Sequence, residues 1–346
     1  MLILGIETSC DETSAAVLDG DGAVLSNLIA SQIARHQPFG GVVPEIASRE
    51  HLEQLTPVIT QSVAAAGVAL GDLNAVAVTS GPGLIGALLV GVAGAQGLAY
   101  GLNIPLYPVN HLEGHIFSPF LRRDGSAIDR PARFLTLVIS GGHSSIYDIR
   151  HDSELTMLNR TRDDAVGEVF DKVAKFIGMP YPGGPEIERT ARGGDPLRFR
   201  FALPQFKEEP LSFSFSGLKS SAIRLARELK LADGSSDDRA DFCASFQQAI
   251  GNQILDRLET VWLTVSGQTD APTELALAGG VAANETLRKR IEEWSVNRSI
   301  TSRLPERAFC TDNAAMIAFA GLLRAQRGFS GDPRRVSARS RMAVGA

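Results

Sequence analysis

Two histidines, His111 and His115, are the residues of this chain whose type and spacing best suit chemistry. In a helix, residues four apart lie on one face, so both imidazoles can bind a single transition-metal ion. The sequence differs from the zinc-protease pattern, in which a glutamate directly follows the first histidine. Here the glutamate is Glu113, which lies about 200° around the helix from both histidines. Spacing alone leaves two alternatives open: a metal site, or histidines that only pack and hydrogen-bond.

Three turns that follow apolar stretches carry residue types that suit a nucleotide. Residues 5–14 combine hydroxyl groups with carboxylates, which would require a cation beside a phosphate. Residues 138–143 contain a glycine pair, where a ligand can approach the backbone. Residues 275–284 place a second glycine pair before Asn284, whose amide either binds a ligand or caps a helix. Each turn taken alone fits an ordinary polar turn or hairpin equally well.

In this order, the three turns resemble those of the actin, sugar kinase and Hsp70 ATPase superfamily. In that superfamily two hairpins enclose the phosphates, and the glycine pair meets the adenosine. The resemblance implies an α/β fold class, with two duplicated actin-like lobes and a nucleotide cleft between them.

Hydrophobic periodicity predicts the elements that position these groups. Gly20 and Gly22 lie in a hairpin turn, and the Gly/Pro-rich residues 181–185 are predicted as a loop. Strands are predicted at 2–6, 15–18, 23–28, 75–79, 106–109, 134–139, 144–149 and 274–278. Helices are predicted at 45–66, from 84, from 111, and at 164–177, 218–229, 239–265, 284–294 and 312–327.

Repetition of this pattern predicts two domains. Residues 1–125 form a first lobe that carries the histidine pair, and residues 126–330 form a second lobe. The final helix, 312–328, is expected to pack back on the first lobe. Residues 331–346 contain four arginines without apolar periodicity, so we expect a disordered tail.

Composition excludes several classes of protein. The 346 residues are 44% hydrophobic and 21% charged, as in a soluble globular protein. The net charge of -5 excludes a global basic field, so nucleic acid would require a local patch or a partner. Three cysteines without metal-ligand spacing indicate the reducing cytoplasm. The apolar residues 84–99 contain four glycines and are shorter than a membrane span, so a buried helix and no membrane contact are expected.

Longer strings of this sequence resemble the TsaD family, the transferase subunit that makes threonylcarbamoyladenosine in tRNA, once described as a glycoprotease. The resemblance extends over about residues 1–328 without large gaps. The matching strings are Gly5-Ile-Glu-Thr-Ser-Cys-Asp-Glu-Thr-Ser14, Gly40-Gly-Val-Val-Pro-Glu-Ile-Ala-Ser-Arg49 with His51, Asn110-His-Leu-Glu-Gly-His115, Phe170-Asp-Lys172, Tyr181-Pro-Gly-Gly184, Phe213-Ser-Phe-Ser-Gly-Leu-Lys219 and Thr311-Asp-Asn313.

The resemblance implies a set of site residues. The family's metal ligands fall on His111, His115 and Asp312. Capping of the final helix is the alternative role for Asp312. The resemblance implies one divalent metal ion per chain and favours Fe(II) over Zn(II). The ligand set itself, two imidazoles and a carboxylate, suits both metals. Glu188 stands where the family usually has Asp. The implied substrate-binding positions are Val138, Ile139, Ser140, Gly141, Gly142, Asp171, Gly184, Glu188 and Asn284.

The implied reaction transfers the threonylcarbamoyl group of threonylcarbamoyl-AMP to N6 of adenosine 37, in tRNAs that read codons beginning with A. Asp11 and Glu12 are candidates for orienting the threonyl group or accepting the amine proton. The implied partners are tRNA, an inactive TsaB-type paralogue and a small TsaE-type P-loop ATPase.

Two alternative functions stay open at this stage. A metalloprotease is disfavoured by the position of Glu113. A kinase or chaperone-like ATPase of the same superfamily is disfavoured by the histidine pair, because Mg²⁺ prefers oxygen ligands to imidazoles.

Overall fold

The chain divides into two compact units in a computed structural model that describes residues 1–124, 129–201, 211–233 and 238–345. Unit 1 comprises residues 1–130 and 305–346, and unit 2 comprises residues 131–304. The second lobe expected from the sequence ended at residue 330. Residues 305–330 instead belong to unit 1, because the last helix of the chain packs on the first sheet.

Unit 1 is built on a mixed five-stranded sheet, with strand order β3-β2-β1-β4-β5. The strands are β1 (Ile3–Glu7), β2 (Glu12–Leu18), β3 (Val24–Ser31), β4 (Ala75–Gly81) and β5 (Leu106–Asn110). β1 is antiparallel to β2 and parallel to β4, which is parallel to β5. The carboxyl ends of β1, β4 and β5 therefore lie at one edge of the sheet.

Helices cover both faces of this sheet. The α-helices of the described part of unit 1 are α1 (Ile33–His36), α2 (Pro44–Ala65), α3 (Ile85–Leu102), α4 (His111–Phe117) and α10 (Ala314–Gln326), of which α2, α3 and α10 cover the sheet. Leu4 and Ile6 belong to the apolar cluster that contains the buried residues of α2 and α3. The alternate residue Gly5 lies directly against α10. Since alternate side chains of a strand point to opposite faces, α10 packs on the face opposite α2 and α3.

Helix α3 corrects one expectation from the sequence. Its 18 residues are long enough and apolar enough to cross a membrane, by length and composition only. Core helices of soluble proteins meet the same two criteria. The sequence predicted a buried helix, but only a third of the residues of α3 are buried. Ala87, Leu88 and Val92 face the core, whereas Ile85 and Leu89 are exposed.

The expected disorder of the C-terminal tail is also wrong for its described part, residues 331–345. The side-chain amide of Gln96 in α3 donates to the carbonyl oxygens of Pro333 at 2.7 Å and Val336 at 3.1 Å. Val336 is buried in the same cluster as α2 and α3. The tail is thus held by backbone hydrogen bonds and by the buried Val336 side chain, which the lack of apolar periodicity cannot reveal.

The end of the tail is held at the start of α4. The amide of Asn110 donates to the carbonyl oxygen of Ala343 at 2.8 Å. The backbone N–H of Gly345 donates to Oε1 of Glu113 at 3.0 Å. Farther back, the N–H of Arg339 donates to the carbonyl of Ser80 at 2.7 Å. Hence the last described residues lie along the carboxyl ends of β4 and β5.

Unit 2 is built on a second mixed sheet, with strand order β10-β9-β6-β7-β8. Its strands are β6 (Arg133–Ile139), β7 (Ser144–Arg150), β8 (Glu154–Arg160), β9 (Glu274–Ala278) and β10 (Thr301–Arg303). Its helices are α5 (Val166–Phe176), α6 (Gly183–Ala191), α7 (Ser216–Glu228), α8 (Arg239–Val265) and α9 (Glu285–Val296). The sequence predicted α8 and β9 with these bounds. It missed β8, β10 and α6. The first residues of α6 fall in the predicted Gly/Pro loop.

We expect Gly5→Ala to destabilise unit 1, because Gly5 admits the close approach of α10. A Cβ at this position would lie 2.2 Å from the carbonyl oxygen of Ala314 and 2.8 Å from Cβ of Ala318. Overpacking of this kind costs about 1–3 kcal/mol in the free energy of unfolding, which urea denaturation measures. Gly217→Ala in α7 is the control, since a Cβ there meets nothing within 4 Å. Equal unfolding midpoints for the two variants would contradict this account.

Candidate metal centre and nucleotide loops

His111 and His115 lie on α4, which begins directly after β5. Asn110 caps this helix, since its Oδ1 accepts the N–H of Leu112 at 2.9 Å. The two imidazoles lie 4.7 Å apart between ring centroids and are nearly perpendicular. Both are buried, with 6% of His111 and none of His115 exposed. The short helix therefore fixes two ring nitrogens close together, as the four-residue spacing predicts.

Asp312 completes a group of three candidate metal ligands. Its Oδ1 lies 3.1 Å from Nε2 of His115 and 3.5 Å from Nε2 of His111. One ligand atom from each of the three residues lies within 4.8 Å of the others. The capping role considered for Asp312 belongs to Asn313, whose side chain accepts the N–H of Met316. The helix therefore does not require the Asp312 carboxylate as its cap.

This donor set fits a divalent transition metal. Two imidazoles and one carboxylate are ligands for Fe(II) and Zn(II), and they leave coordination positions open for a substrate. The other ring nitrogen of His111, Nδ1, lies 3.2 Å from Oε2 of Glu7. A carboxylate on the second nitrogen of a ligating histidine is the common arrangement around protein-bound metals.

The electrostatics of the group also favour a cation. Burial alone would lower the pKa of His111, but the carboxylates of Asp312 and Glu7 outweigh it and raise the pKa to about 9. Burial raises the pKa of Asp11, and the charge of Asp312 raises it further. The carboxylates therefore favour positive charge at this group, which a bound metal ion would supply.

Glu12 and Cys10 differ in what they can contribute. Burial, followed by the charges of Asp11 and Asp312, raises the pKa of Glu12 to about 8, against the opposing hydrogen bond from Ser31. A carboxyl group of this pKa exchanges protons near neutral pH. Burial also raises the pKa of the Cys10 thiol, and the charge of Asp11 adds to this. Cys10 is therefore a poor nucleophile.

Glu113, whose position in the sequence disfavours a metalloprotease, lies outside the group of candidate metal ligands. Its carboxylate is buried and accepts from the guanidinium of Arg324 at 2.8 Å. The N–H of Gly345 is its second donor. Glu113 thus joins α4 to α10 and the tail, and it is not positioned as a general base beside the histidines.

In unit 2, the predicted Ser-Gly-Gly turn joins β6 to β7. The side chains of Val138 and Ile139 are fully buried, so only their backbone can meet a ligand. Ser140 closes the turn, because its N–H donates to the carbonyl of His143 at 2.8 Å. Gly141 and Gly142 are exposed. A Cβ on either would meet nothing within 4 Å, so the space over this backbone is open.

The second glycine turn follows β9, the parallel neighbour of β6. Gly279 has a φ of 89° and lies so close to Ile139 that a Cβ would approach its carbonyl oxygen to 2.4 Å. The two glycine turns are therefore packed against each other at the carboxyl ends of adjacent strands, where α/β sheets bind ligands.

The remaining predicted ligand positions form a chain of contacts along α5, α6 and α9. Asp171 accepts the N–H of Gly183 at 2.7 Å and so fixes the first turn of α6, which contains Gly184. Glu188 accepts the N–H of Glu285 at 2.7 Å. The longer Glu side chain thus reaches the start of α9, next to Asn284, and not an open surface.

Asn284 fulfils the capping role that the sequence left open. Its Oδ1 accepts the N–H of Leu287 at 2.9 Å, and its amide donates to Gln247 at 2.8 Å. Beside it, Phe170, Gln247, Val281 and Arg290 contribute to the lining of a pocket. Sequence reasoning missed Gln247, and it missed Glu7 as the partner of His111. No spacing rule connects either residue to its partner.

Comparison with known proteins decides the family. The TsaD model, described as tRNA N6-adenosine threonylcarbamoyltransferase, matches residues 23–319. A relative of that name from Syntrophobacter fumaroxidans is 46% identical over 346 residues, covering 99% of each chain. This chain belongs to the TsaD family. A second TsaD relative, from Desulfitobacterium hafniense, is 48% identical over 322 residues and covers 93% of this chain and 92% of its own.

Membership of TsaD confirms the predicted activity. Relatives this similar over nearly the whole chain carry the transferase name, so the chain is an acyltransferase that makes threonylcarbamoyladenosine in tRNA. The predicted protease and kinase alternatives are therefore set aside.

Solved structures confirm the predicted fold class. HypF of T. kodakarensis superposes with a TM-score of 0.61 at 15% identity, covering 96% of this TsaD chain and 48% of HypF. Component A of (R)-2-hydroxyglutaryl-CoA dehydratase from Acidaminococcus fermentans has a TM-score of 0.52 at 13% identity, covering 94% and 99%. Likeness at these identities shows the fold alone.

We expect the purified TsaD chain to bind one equivalent of Fe(II) or Zn(II), and His115→Ala to abolish this stoichiometric binding. The substitution removes one of three candidate ligands, and the two that remain are too few to hold the metal ion tightly. Anaerobic titration with metal analysis measures the stoichiometry. The matched control is His151→Asn, an exposed histidine at a φ of 49°, a backbone conformation that Asn tolerates. Equal metal content in wild type and His115→Ala would contradict the assignment.

Proposed function

We propose that this chain makes threonylcarbamoyladenosine in a metal-assisted transfer from threonylcarbamoyl-AMP. Unit 1 would hold Fe(II) or Zn(II) through His111, His115 and Asp312. The observation that carries this proposal is the convergence of three ligand atoms within 4.8 Å, with Asn313 and not Asp312 capping α10. Unit 2 would bind the AMP portion of the donor at its two glycine turns.

The reaction requires three changes in bonding. N6 of the tRNA adenosine attacks the carbamoyl carbon, and a C–N bond forms. The bond from that carbon to the phosphate oxygen breaks, AMP leaves with the electron pair, and the attacking amine loses a proton. When bound, the metal supplies a Lewis acid that stabilises charge developing on oxygen.

The side chains and backbone of unit 2 suit the nucleotide. The backbone around Gly141 and Gly142 is open, and its N–H groups would donate to the phosphate. Phe170, Val281 and Arg290 line a small pocket together with Asn284, and we propose that the base of the nucleotide approaches this region. Asp171 and Glu188 would act by fixing α6 and the start of α9, since both already accept backbone N–H groups.

Glu12 is the better of the two candidates for accepting the amine proton. Its pKa of about 8 lies near the operating pH of a general acid–base group. One of its carboxylate oxygens is buried and has no hydrogen-bond partner among the described residues. Asp11 would help to orient the threonyl group.

We propose Fe(II) as the preferred metal in the cell and Zn(II) as the alternative. We also propose that the protein is located in the cytoplasm. The family resemblance supports both proposals, while the donor set suits either metal. The family resemblance also supports a small TsaE-type P-loop ATPase as a further proposed partner.

A TsaB-type paralogue is proposed to bind the exposed apolar face of α2 and α3. This patch consists of Leu52, Ile85, Leu89 and Tyr100, which are 71%, 49%, 53% and 73% exposed. The three residues of α3 recur on one face, because four and fifteen residues correspond to about one and four helical turns. Clustered exposed apolar residues mark protein interfaces in soluble proteins. A partner of the same fold can offer an equivalent pair of helices.

We expect depletion of this protein in its host to remove threonylcarbamoyladenosine from tRNA. Wild-type chain supplied in trans restores the nucleoside and His115→Ala does not, because that variant lacks a metal ligand. Mass spectrometry of tRNA nucleosides measures the result. Unchanged threonylcarbamoyladenosine after depletion would contradict the function. Full restoration by His115→Ala would contradict only the metal's role.

We expect Leu89→Asp to weaken binding of the TsaB-type paralogue at least about tenfold, because it would bury an unpaired charge in an apolar interface. Calorimetry of the two purified chains measures the affinity. Leu263→Asp is the control, because Leu263 is also an exposed leucine, 68% exposed, but belongs to α8 of unit 2. Equal affinity for both variants would contradict this surface, and self-association of the chain through the patch would identify a second copy as the occupant.

A further inference from the structure

Glu7, the last residue of β1, is a buried carboxylate whose role the reaction does not yet explain. None of its surface is exposed. Its Oε1 accepts the backbone N–H of Ser9 at 2.5 Å. Its Oε2 accepts the hydroxyl of Thr79 at 2.5 Å and lies 3.2 Å from Nδ1 of His111. Three groups, from the turn after β1, from β4 and from α4, therefore converge on one carboxylate.

The direction of these hydrogen bonds is fixed by chemistry. A backbone N–H can only donate, and an ionised carboxylate can only accept. Facing Oε2, Nδ1 of His111 must therefore carry its proton. The hydroxyl of Ser9, 3.1 Å from the same nitrogen, can rotate to suit either state. With the proton on Nδ1, the lone pair of the neutral ring is on Nε2, the atom that faces Asp312.

We propose that Glu7 is a positioning residue that makes Nε2 of His111 the metal ligand by holding the proton on Nδ1. The inference rests on the proposed metal centre and deepens it. His115 has no equivalent support, because its Nδ1 is buried without a hydrogen-bond partner in the described part of the chain. Glu7 is thus the residue that orients the histidine pair from behind.

Glu7→Gln tests this with a change of one atom. The amide oxygen must face the N–H of Ser9, because that backbone donor cannot reverse. The amide NH₂ then takes the place of Oε2 and donates towards Thr79 and Nδ1 of His111. Thr79 can rotate its hydroxyl to accept. His111 can accept only by moving its proton to Nε2, which removes the lone pair that would bind the metal.

The first measurement is the tautomer of His111 in metal-free chain labelled with ¹⁵N-histidine. Long-range ¹H–¹⁵N spectra are recorded at a series of rising pH values, and the tautomer is read where the spectra show that the ring is neutral. We expect the proton on Nδ1 in wild type and on Nε2 in Glu7→Gln. The second measurement is Zn(II) affinity by competition with a chromophoric chelator. We expect a loss of about 10–100-fold in Glu7→Gln, as for other residues behind metal ligands.

Thr79→Val is the matched control. It removes another buried hydrogen bond to Glu7 but leaves the carboxylate facing His111, so tautomer and Zn(II) affinity should stay those of the wild type. A purely structural role for Glu7 would give similar losses in both variants, and unfolding midpoints of the metal-free chains compare their stability.

Several results would overturn the inference. One is a wild-type His111 with its proton on Nε2, which is decisive even if Glu7→Gln does not fold. Another is wild-type Zn(II) affinity in folded Glu7→Gln. A wild-type chain that binds no Zn(II) or Fe(II), yet keeps the Nδ1 proton, would contradict the metal centre itself and this inference with it. Failure of the inference alone is therefore distinguishable from failure of the proposed site.

Discussion

The packing of α10 against β1 is the constraint on which the candidate metal centre depends. Gly5 has no side chain at the point where the backbone of α10 crosses β1, so the helix and the strand approach closely. The segment before α10 consequently lies beside α4, and Asp312 meets His115 across 197 residues of sequence. Without this contact the histidine pair would have no carboxylate partner from the end of the chain.

This arrangement buries charged groups, which costs folding free energy. Glu7 and His115 are fully buried and His111 nearly so, and a buried charge without a partner costs several kcal/mol or more in folding free energy. The structure offsets part of this cost by placing donors on Glu7 and a carboxylate on both Nε2 atoms. A divalent cation among these groups would offset more of it. A metal ion bound at this candidate centre would therefore stabilise unit 1.

Local patterns predicted much of this molecule. The bounds of α8 and β9 and the single helical face of His111 and His115 follow from residue spacing. The family motifs added Asp312. Other features depend on contacts that spacing does not encode. Pro182 and the glycines after it predict a loop, but Asp171 accepts the N–H of Gly183 and α6 begins there. The tail lacks periodicity because backbone hydrogen bonds, not apolar side chains, hold most of it.

The division of unit 1 between both ends of the chain has a consequence for biosynthesis. The ribosome delivers β1 to α4 first, then all of unit 2, and only then α10 and the tail. Until that moment the groove at Gly5 stays open, and Glu113 lacks both Arg324 and the N–H of Gly345. A nascent chain that ends before Asp312 lacks one of the three candidate ligands, so it cannot complete the candidate metal centre.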